Sequence, residues 1–150
     1  MALRIIVIIV VILILIQFIR PQTNVHSGPQ PNTITTAYTV PDTVLHVMQR
    51  ACYDCHSNNT KYPWYNNFQP VRWWLNHHVN EGKRELNFDE FTTYTPKKKA
   101  HKLEEVAKSV KEGDMPMNSY TWVHKEARLS DAEKQLIINW ANSLKAQIQP

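Results

Sequence analysis

Apolar residues recur at helical spacing in four stretches of the chain. In the first stretch Val44, Val47 and Ala51 fall on one side of a helix. In the last, the run from Ser130 to Glu133 matches a capping box, in which a serine and a glutamate close the first turn of a helix. No stretch alternates apolar and polar residues long enough to indicate a strand. The pattern therefore predicts an all-α fold, a small bundle of four or five helices that include residues 42–51, 70–79, 97–111 and 130–144.

Proline and glycine mark the predicted ends of the second and third helices. Pro70 suits the first turn of a helix, because the missing N–H has no partner there in any case. Gly82 and Gly113 follow the apolar stretches of these two helices, and glycine is the residue most often found just beyond a helix end. We therefore expect the second helix to stop near Gly82 and the third before Gly113.

The chain begins with a long apolar run that has arginines on both sides, Arg4 and Arg20. A helix over residues 3–19 would be about 25 Å long, slightly less than the roughly 30 Å hydrocarbon core of a membrane. The run ends in Gln-Phe-Ile-Arg-Pro, which lacks the small residues of a signal-peptide cleavage site. The sequence therefore predicts an uncleaved N-terminal transmembrane helix in residues 1–20, which contacts the membrane through residues 3–19.

The rest of the chain divides into a polar segment and a folded domain. Residues 21–40 are rich in Pro, Thr, Asn and Gln, a composition typical of a flexible tether. Residues 41–150 contain the predicted helices and are long enough for one modest core. The formal net charge of the whole chain is +4, of which Arg4 and Arg20 supply half, so nucleic acid is not an expected partner.

Both cysteines of the chain lie in one short motif, Cys52-Tyr53-Asp54-Cys55-His56. This C-x-x-C-H spacing is the pattern of covalent haem attachment, in which two thiols bind the two vinyl groups and the histidine binds iron. The alternatives are a disulfide or thiol redox pair and a zinc site. Zinc would need further ligands at short spacing, whereas the other histidines are scattered apart from the adjacent His77 and His78. The motif predicts one covalent haem c per chain, held by Cys52, Cys55 and His56.

The sequence leaves the sixth ligand of the iron open. Met115 and Met117 lie in a loop between the last two predicted helices, and a methionine thioether is a common partner of histidine in electron-transfer haems. A histidine is a further alternative, with His124 nearest to this loop and His101 on a helix. Either methionine could instead fill a gap in the core.

Four blocks of the chain resemble a family of small bacterial haem-binding domains, and more distantly class I cytochromes c: CYDCHSNNTKYPWY, PVRWWLNHHVNEGKRELNF, GDMPMNSYTWVH and EARLSDAEKQLIINWA. In class I cytochromes c a C-x-x-C-H ends the first helix, a Met-Pro lies in a late loop, and the last helix packs across the first. The resemblance implies a cytochrome c-like, monohaem domain behind a membrane anchor. It also implies Met115, which precedes Pro116, as the sixth ligand, and a proline carbonyl after the motif, that of Pro63, as the hydrogen-bond partner of His56.

Three classes of function remain. We predict an electron-transfer cytochrome on the periplasmic side of the cell inner membrane, with redox partner proteins that include a respiratory membrane complex as one candidate. A haem-based sensor or gas-binding module would need a weak or open sixth site. A dihaem peroxidase would need two C-x-x-C-H motifs and this chain has one, so we do not expect an enzyme.

Overall fold

Helices make up most of the chain in the computed structural model, which describes residues 1–148. The α-helices are, in chain order, α1 (Ala2–Leu15), α2 (Ile34–Ala37), α3 (Asp42–Ala51), α4 (Tyr53–His56), α5 (Val71–Glu85), α6 (Pro96–Glu112), α7 (Asn118–Val123) and α8 (Asp131–Ile148). Short 3-10 turns occupy Ile16–Phe18, Trp64–Asn67, Phe88–Thr93 and Lys125–Ala127. Within residues 1–148 there is no strand, and only an isolated bridge joins Val25 to Asn59. The prediction of an all-helical fold is confirmed.

The predicted helix ends can be compared with the observed ones. The α3 helix covers the predicted residues, and α6 ends at Gly113, whose φ of 81° is the left-handed conformation that favours glycine at a helix end. The α5 helix, in contrast, runs through Gly82 to Glu85, so the predicted stop at Gly82 is wrong. Gly82 lies where the helix packs closely against another segment, which favours a residue without a side chain.

The predicted transmembrane helix is wrong. The α1 helix has 14 residues, a rise of about 21 Å, and it gives way to the 3-10 turn Ile16–Phe18 and then to extended backbone at Ile19. The helix ends where polar groups begin to contact the folded domain: the Gln17 side chain accepts a hydrogen bond from the Gln69 amide at 2.9 Å. Across residues 1–148, no helix is both long enough and apolar enough to cross a membrane.

The core of the bundle lies between α3, α6 and α8. The α6 and α8 helices pack along each other, and α3 packs against α8. The main cluster of buried apolar side chains also draws on the turn Phe88–Thr93 and on α2: Ile34, Val44, Met48, Leu86, Phe88, Phe91, Leu103, Ala107, Trp140, Ala141 and Leu144. Burial of such side chains stabilises the fold by about 1.5–3 kcal/mol each. The α4 helix packs on α5, so the cysteine motif is held between the core and α5.

Residues 21–40 hydrogen-bond to the domain near their start and near their middle. Near the start of the segment, the Asn24 carbonyl accepts from the Thr60 amide at 2.9 Å, and the Asn24 side chain donates to the Ser57 carbonyl at 2.9 Å. Near its middle, the Asn32 carbonyl accepts from the Thr92 amide at 3.1 Å. The division of the chain at residues 20 and 40 stays a prediction. The structure adds that this segment is hydrogen-bonded to the folded domain through Asn24 and Asn32.

Candidate functional site

The cysteine motif folds as a tight helical turn, residues 52–56, which we call the cysteine turn. Cys52 ends α3 by donating its N–H to the Met48 carbonyl at 2.8 Å. Its own carbonyl then accepts hydrogen bonds from the Cys55 and His56 amides at 3.2 and 3.0 Å, which starts α4. The sequence thus places both thiols and the imidazole on one turn, attached directly to a helix of the core.

Both thiols are free and partly buried beside a cleft. Burial raises the pKa of Cys52 to about 12 and that of Cys55 to about 11. Thiols with such pKa values stay protonated at neutral pH, whereas redox nucleophiles act as thiolates. Within residues 1–148, no group of three or more His, Cys, Asp and Glu side chains is arranged to hold a metal ion. The local chemistry therefore does not favour the zinc or the thiol redox alternative.

His56 is oriented by a backbone carbonyl at the end of α5. Its Nδ1 atom lies 2.9 Å from the Leu86 carbonyl oxygen, which can only accept, so Nδ1 carries the proton and Nε2 keeps its lone pair. Burial lowers the pKa of His56, which favours this neutral ring. The expected partner, the Pro63 carbonyl, is wrong, because Nδ1 bonds the Leu86 carbonyl instead, and the Pro63 carbonyl accepts from the Asn66 amide at 3.0 Å as the turn Trp64–Asn67 begins. His56 is thus prepared to bind a metal through Nε2.

Gly82 allows α5 to approach the cysteine turn closely. A Cβ atom placed at Gly82 would lie 2.7 Å from the Cys55 carbonyl oxygen and 3.0 Å from the Cys55 Cβ atom. Since the nearest atom belongs to the backbone, it could not move aside as a flexible side chain would. The glycine therefore has a packing role that its position in a helical pattern does not reveal.

The cysteine turn lines a cleft made of two adjoining cavities, of about 400 and 160 Å³. Cys52, His56, Met115 and Pro116 border both cavities, and Cys55 borders the smaller one. The larger cavity alone falls within the roughly 300–1,000 Å³ range of protein cofactor and ligand sites. The predicted residues of the motif and of the late loop therefore share one cavity system.

Met115 borders this cleft from an exposed loop, residues 113–117, which we call the methionine loop. Hydrogen bonds from the Asp114 and Met115 amides to the Ser109 carbonyl, at 3.0 and 3.2 Å, fix the loop to the end of α6. The Met115 side chain is 38% exposed. Met117 borders the smaller cavity but not the larger one. The structure thus places Met115 at both cavities that border His56, and Met117 at one.

The histidine alternatives lie at different distances from the cleft. His78, on α5, borders the smaller cavity. His101 points to the surface, where its Nε2 atom lies 3.2 Å from the Glu105 carboxylate. The Nε2 atom of His124 hydrogen-bonds the Tyr65 hydroxyl at 2.9 Å, outside both cavities. Of these three histidines, His78 alone borders the cleft.

Sequence reasoning missed a charged cluster at the rim of the larger cavity. The Lys102 side chain is 11% exposed, and its ammonium group contacts the Glu85 carboxylate at 3.2 Å and the Glu105 carboxylate at 2.7 Å. Burial lowers the pKa of Lys102, but the two carboxylates outweigh it and raise the pKa overall, so the ammonium group stays charged. The only signal in the sequence is a lysine beside the apolar stripe of α6, which is common on helix surfaces.

The residues of the cleft fit a haem group. The two thiols, the Nε2 atom of His56 and the thioether of Met115 are the donor types that a covalently bound haem requires. Gly82 removes the side chain that would block close packing behind the cysteine turn. His56, Cys52, Cys55 and Met115 would hold the group, and its apolar ring would adjoin the Phe88 and Ile137 side chains that line the larger cavity.

Comparison with known proteins gives one finding. The model of a haem-binding domain family matches residues 11–143, most of the chain. Searches of curated proteins and of solved structures return no match for this chain. The matched region contains the cysteine turn, both cavities and the methionine loop. The chain belongs to the haem-binding domain family.

Proposed function

We propose that this protein is a monohaem c-type cytochrome, an electron-transfer protein with haem bound covalently through Cys52 and Cys55 and with His56 and Met115 as axial ligands of the iron. The observation that carries the proposal is the shared cleft: a neutral imidazole with a bare Nε2 atom and a thioether border the same two cavities as Cys52. Bound haem supplies one-electron exchange between ferric and ferrous iron.

Covalent attachment requires only chemistry that the two thiols provide. Cys52 and Cys55 would each hold the haem through a thioether, in which the S–H group has added across a vinyl double bond, with the sulfur on one carbon and the hydrogen on the other. No electron is gained or lost overall in this step. Each thiol thus supplies both the sulfur and the hydrogen that the addition needs.

The two axial ligands would favour rapid electron exchange. A histidine and a methionine together keep the iron six-coordinate in both oxidation states, and the soft thioether favours the ferrous state and raises the reduction potential. The hydrogen bond from His56 to the Leu86 carbonyl holds the imidazole in one orientation and increases its basicity. Redox partner proteins on the periplasmic side of the inner membrane belong to the same proposal, and we propose no enzymatic activity.

Absorption spectra of the purified protein test this proposal directly. We expect the haem to stay with the polypeptide in acidified acetone and on denaturing gels, and the ferric protein to show the weak far-red band of sulfur bound to iron. Rapid carbon monoxide binding by the wild-type ferrous protein would contradict Met115 as a strong ligand. Complete release of haem on extraction would contradict covalent attachment.

The exposure of Met115 favours a second candidate, a haem-based sensor or gas-binding module. A ligand on a loop with 38% of its side chain exposed is easier to displace than one held in the core. In this case the wild-type ferrous protein binds carbon monoxide as rapidly as a Met115→Ala variant does. An electron-transfer protein instead shows slow binding that the substitution accelerates.

A further inference from the structure

The methionine loop must be held against the cleft if Met115 is to bind iron. Its first part is fixed to α6 through the Ser109 carbonyl, and its last part leads into α7, whose first turn begins with a hydrogen bond from the Tyr120 amide to the Met117 carbonyl at 3.0 Å. The position of α7 therefore determines where the loop ends. Met115 and Pro116 also border a third, outer cavity of about 630 Å³, so little protein lies behind the loop.

One side-chain contact connects α7 directly to the cysteine turn. The Tyr120 hydroxyl donates a hydrogen bond to the Asp54 carboxylate, with 2.8 Å between Oη and Oδ2. Asp54 lies between Cys52 and Cys55, and its other carboxylate oxygen accepts from the Lys61 amide at 3.0 Å. Asp54 is thus fixed from both sides, and it links the two regions that supply the predicted haem ligands.

The surroundings of Tyr120 make this hydrogen bond persistent. The Tyr120 ring stacks on His124, with 4.5 Å between ring centroids and 20° between ring planes, and His124 in turn bonds Tyr65. Tyr120 also borders the smaller cavity beside Met115 and Met117. Burial raises the pKa of Tyr120, and the hydrogen bond to Asp54 raises it further, so the phenol keeps the proton that it donates.

We infer that Tyr120 is a positioning residue, which holds the methionine loop against the cysteine turn through Asp54 and thereby sets the strength of the bond between Met115 and iron. The inference rests on the proposed function, since it concerns the ligand proposed there. Tyr120 touches neither ligand through its hydroxyl group. Its effect is transmitted by the backbone that leads from the first turn of α7 back through Met117 to Met115.

The test compares carbon monoxide binding by the ferrous holoproteins of matched variants. Tyr120→Phe keeps the ring and removes the hydroxyl, and a hydrogen bond to a charged acceptor is strong enough that its loss should accelerate binding on the order of tenfold. Tyr62→Phe is the control, because the Tyr62 hydroxyl accepts from the Asn24 amide at 2.9 Å and is not hydrogen-bonded to Asp54. We expect this control to bind carbon monoxide as the wild type does, and the far-red band to weaken only in Tyr120→Phe.

Further variants separate failure of the inference from failure of the proposed function. Asp54→Asn removes the charge and leaves one acceptor oxygen, for which the Tyr120 hydroxyl and the Lys61 amide compete. A neutral and only partly formed hydrogen bond should give a smaller acceleration, about threefold, and this variant carries the test if Tyr120→Phe yields no holoprotein. Wild-type rates in both variants, with fast binding in Met115→Ala, would overturn the inference and leave the proposed ligand in place. If Met115→Ala behaves as the wild type, the ligand assignment itself is wrong and the inference falls with it.

Discussion

The two sides of the cleft are built in different ways. On the side of His56, the ligand follows a core helix directly, its Nδ1 atom donates to the Leu86 carbonyl, and α5 approaches closely enough that Gly82 has no room for a side chain. On the side of Met115, the proposed ligand lies on an exposed loop that is hydrogen-bonded where it meets α6 and α7. Backbone contacts thus position the first ligand, whereas the second depends on the contacts of a neighbouring helix.

This difference indicates how the two sides should respond to change. A ligand fixed by backbone geometry is lost only when the packing around it changes, and such changes also destabilise the fold. A ligand on a loop can detach by local opening, at a free-energy cost well below that of global unfolding. Substitutions near Met115 should therefore alter the spectrum before they alter stability, and substitutions near His56 should do the reverse.

The largest effect is expected from loss of both thiols. In the double variant with Cys52→Ser and Cys55→Ser, no thioether bond can form, so all haem should be released by acidified acetone and none should remain on a denaturing gel. Met115→Ala is the control, since it leaves both thiols in place and should retain covalent haem. Haem that resists extraction from the double variant would show that another group makes the covalent bond.

Removal of the thioether from the methionine loop should have the next largest effect. We expect Met115→Ala to abolish the far-red band of the ferric protein and to accelerate carbon monoxide binding, while the midpoint of denaturant unfolding changes little because Met115 is exposed. Met117→Ala is the matched control, because it removes the second thioether of the same loop, and it should keep the band. Loss of the band in Met117→Ala alone would transfer the axial role to that residue.

A pair of glycine substitutions compares the two sides by stability. Gly82→Ala places a methyl group 2.7 Å from the Cys55 carbonyl oxygen, and we expect it to reduce the free energy of unfolding by about 1–3 kcal/mol and to disturb the side of His56. In Gly113→Ala the methyl group meets no atom within 4 Å, but an alanine held at a φ of 81° has a strained backbone. We expect this strain to reduce the free energy of unfolding by about 1 kcal/mol. Urea unfolding of both holoproteins measures the two values, and a smaller loss in Gly82→Ala than in Gly113→Ala would contradict the close packing described for α5.

Local sequence patterns predicted the parts of the molecule that local contacts determine. The apolar stripe and the adjacent cysteine motif located α3 and the turn that follows it, and the run from Ser130 to Glu133 located the start of α8. The failures involve contacts between distant residues. Gly82 was interpreted as a helix end because its contact with Cys55 cannot be seen in the sequence, and the Leu86 carbonyl lies 30 residues from His56.

The N-terminal apolar run is a second case in which contacts with distant residues, which the sequence does not reveal, decide the structure. Its composition alone predicted a longer helix, but Gln17, together with the Ile19 and Pro21 carbonyls, bonds to residues more than 50 positions away, and α1 ends before them. The hydrogen bond between Tyr120 and Asp54 joins residues 66 positions apart, and neither residue type indicates it. Helix positions were therefore predictable, and the contacts that orient the two ligands were not.

The smallest effect is expected at the start of α8, away from both sides of the cleft. Hydrogen bonds from the Ser130 amide and hydroxyl, together with the Arg50 guanidinium at 2.5 Å, lower the pKa of Glu133 from its ordinary value of 4.5. A group whose pKa is lower in the folded state stabilises the fold above the unfolded pKa, and this contribution is lost as the pH falls through the folded value. At pH 7 we expect Glu133→Gln to reduce the free energy of unfolding by about 0.5–1 kcal/mol, because glutamine can still close the capping box but lacks the charge that faces Arg50 and the helix N-terminus.

This difference between wild type and Glu133→Gln should shrink once the pH falls below about 4.5 and disappear below the folded pKa. Glu104→Gln provides the control, because it removes an exposed ion pair with Lys145 that water screens, and it should change stability less at every pH. Both variants should keep the far-red band and the slow carbon monoxide binding of the wild type, since Glu133 contacts neither the cysteine turn nor the methionine loop. A change of the band in Glu133→Gln would mean that the ion pair between α3 and α8 also positions the haem ligands, and the contrast between the two sides of the cleft would then have to include the core.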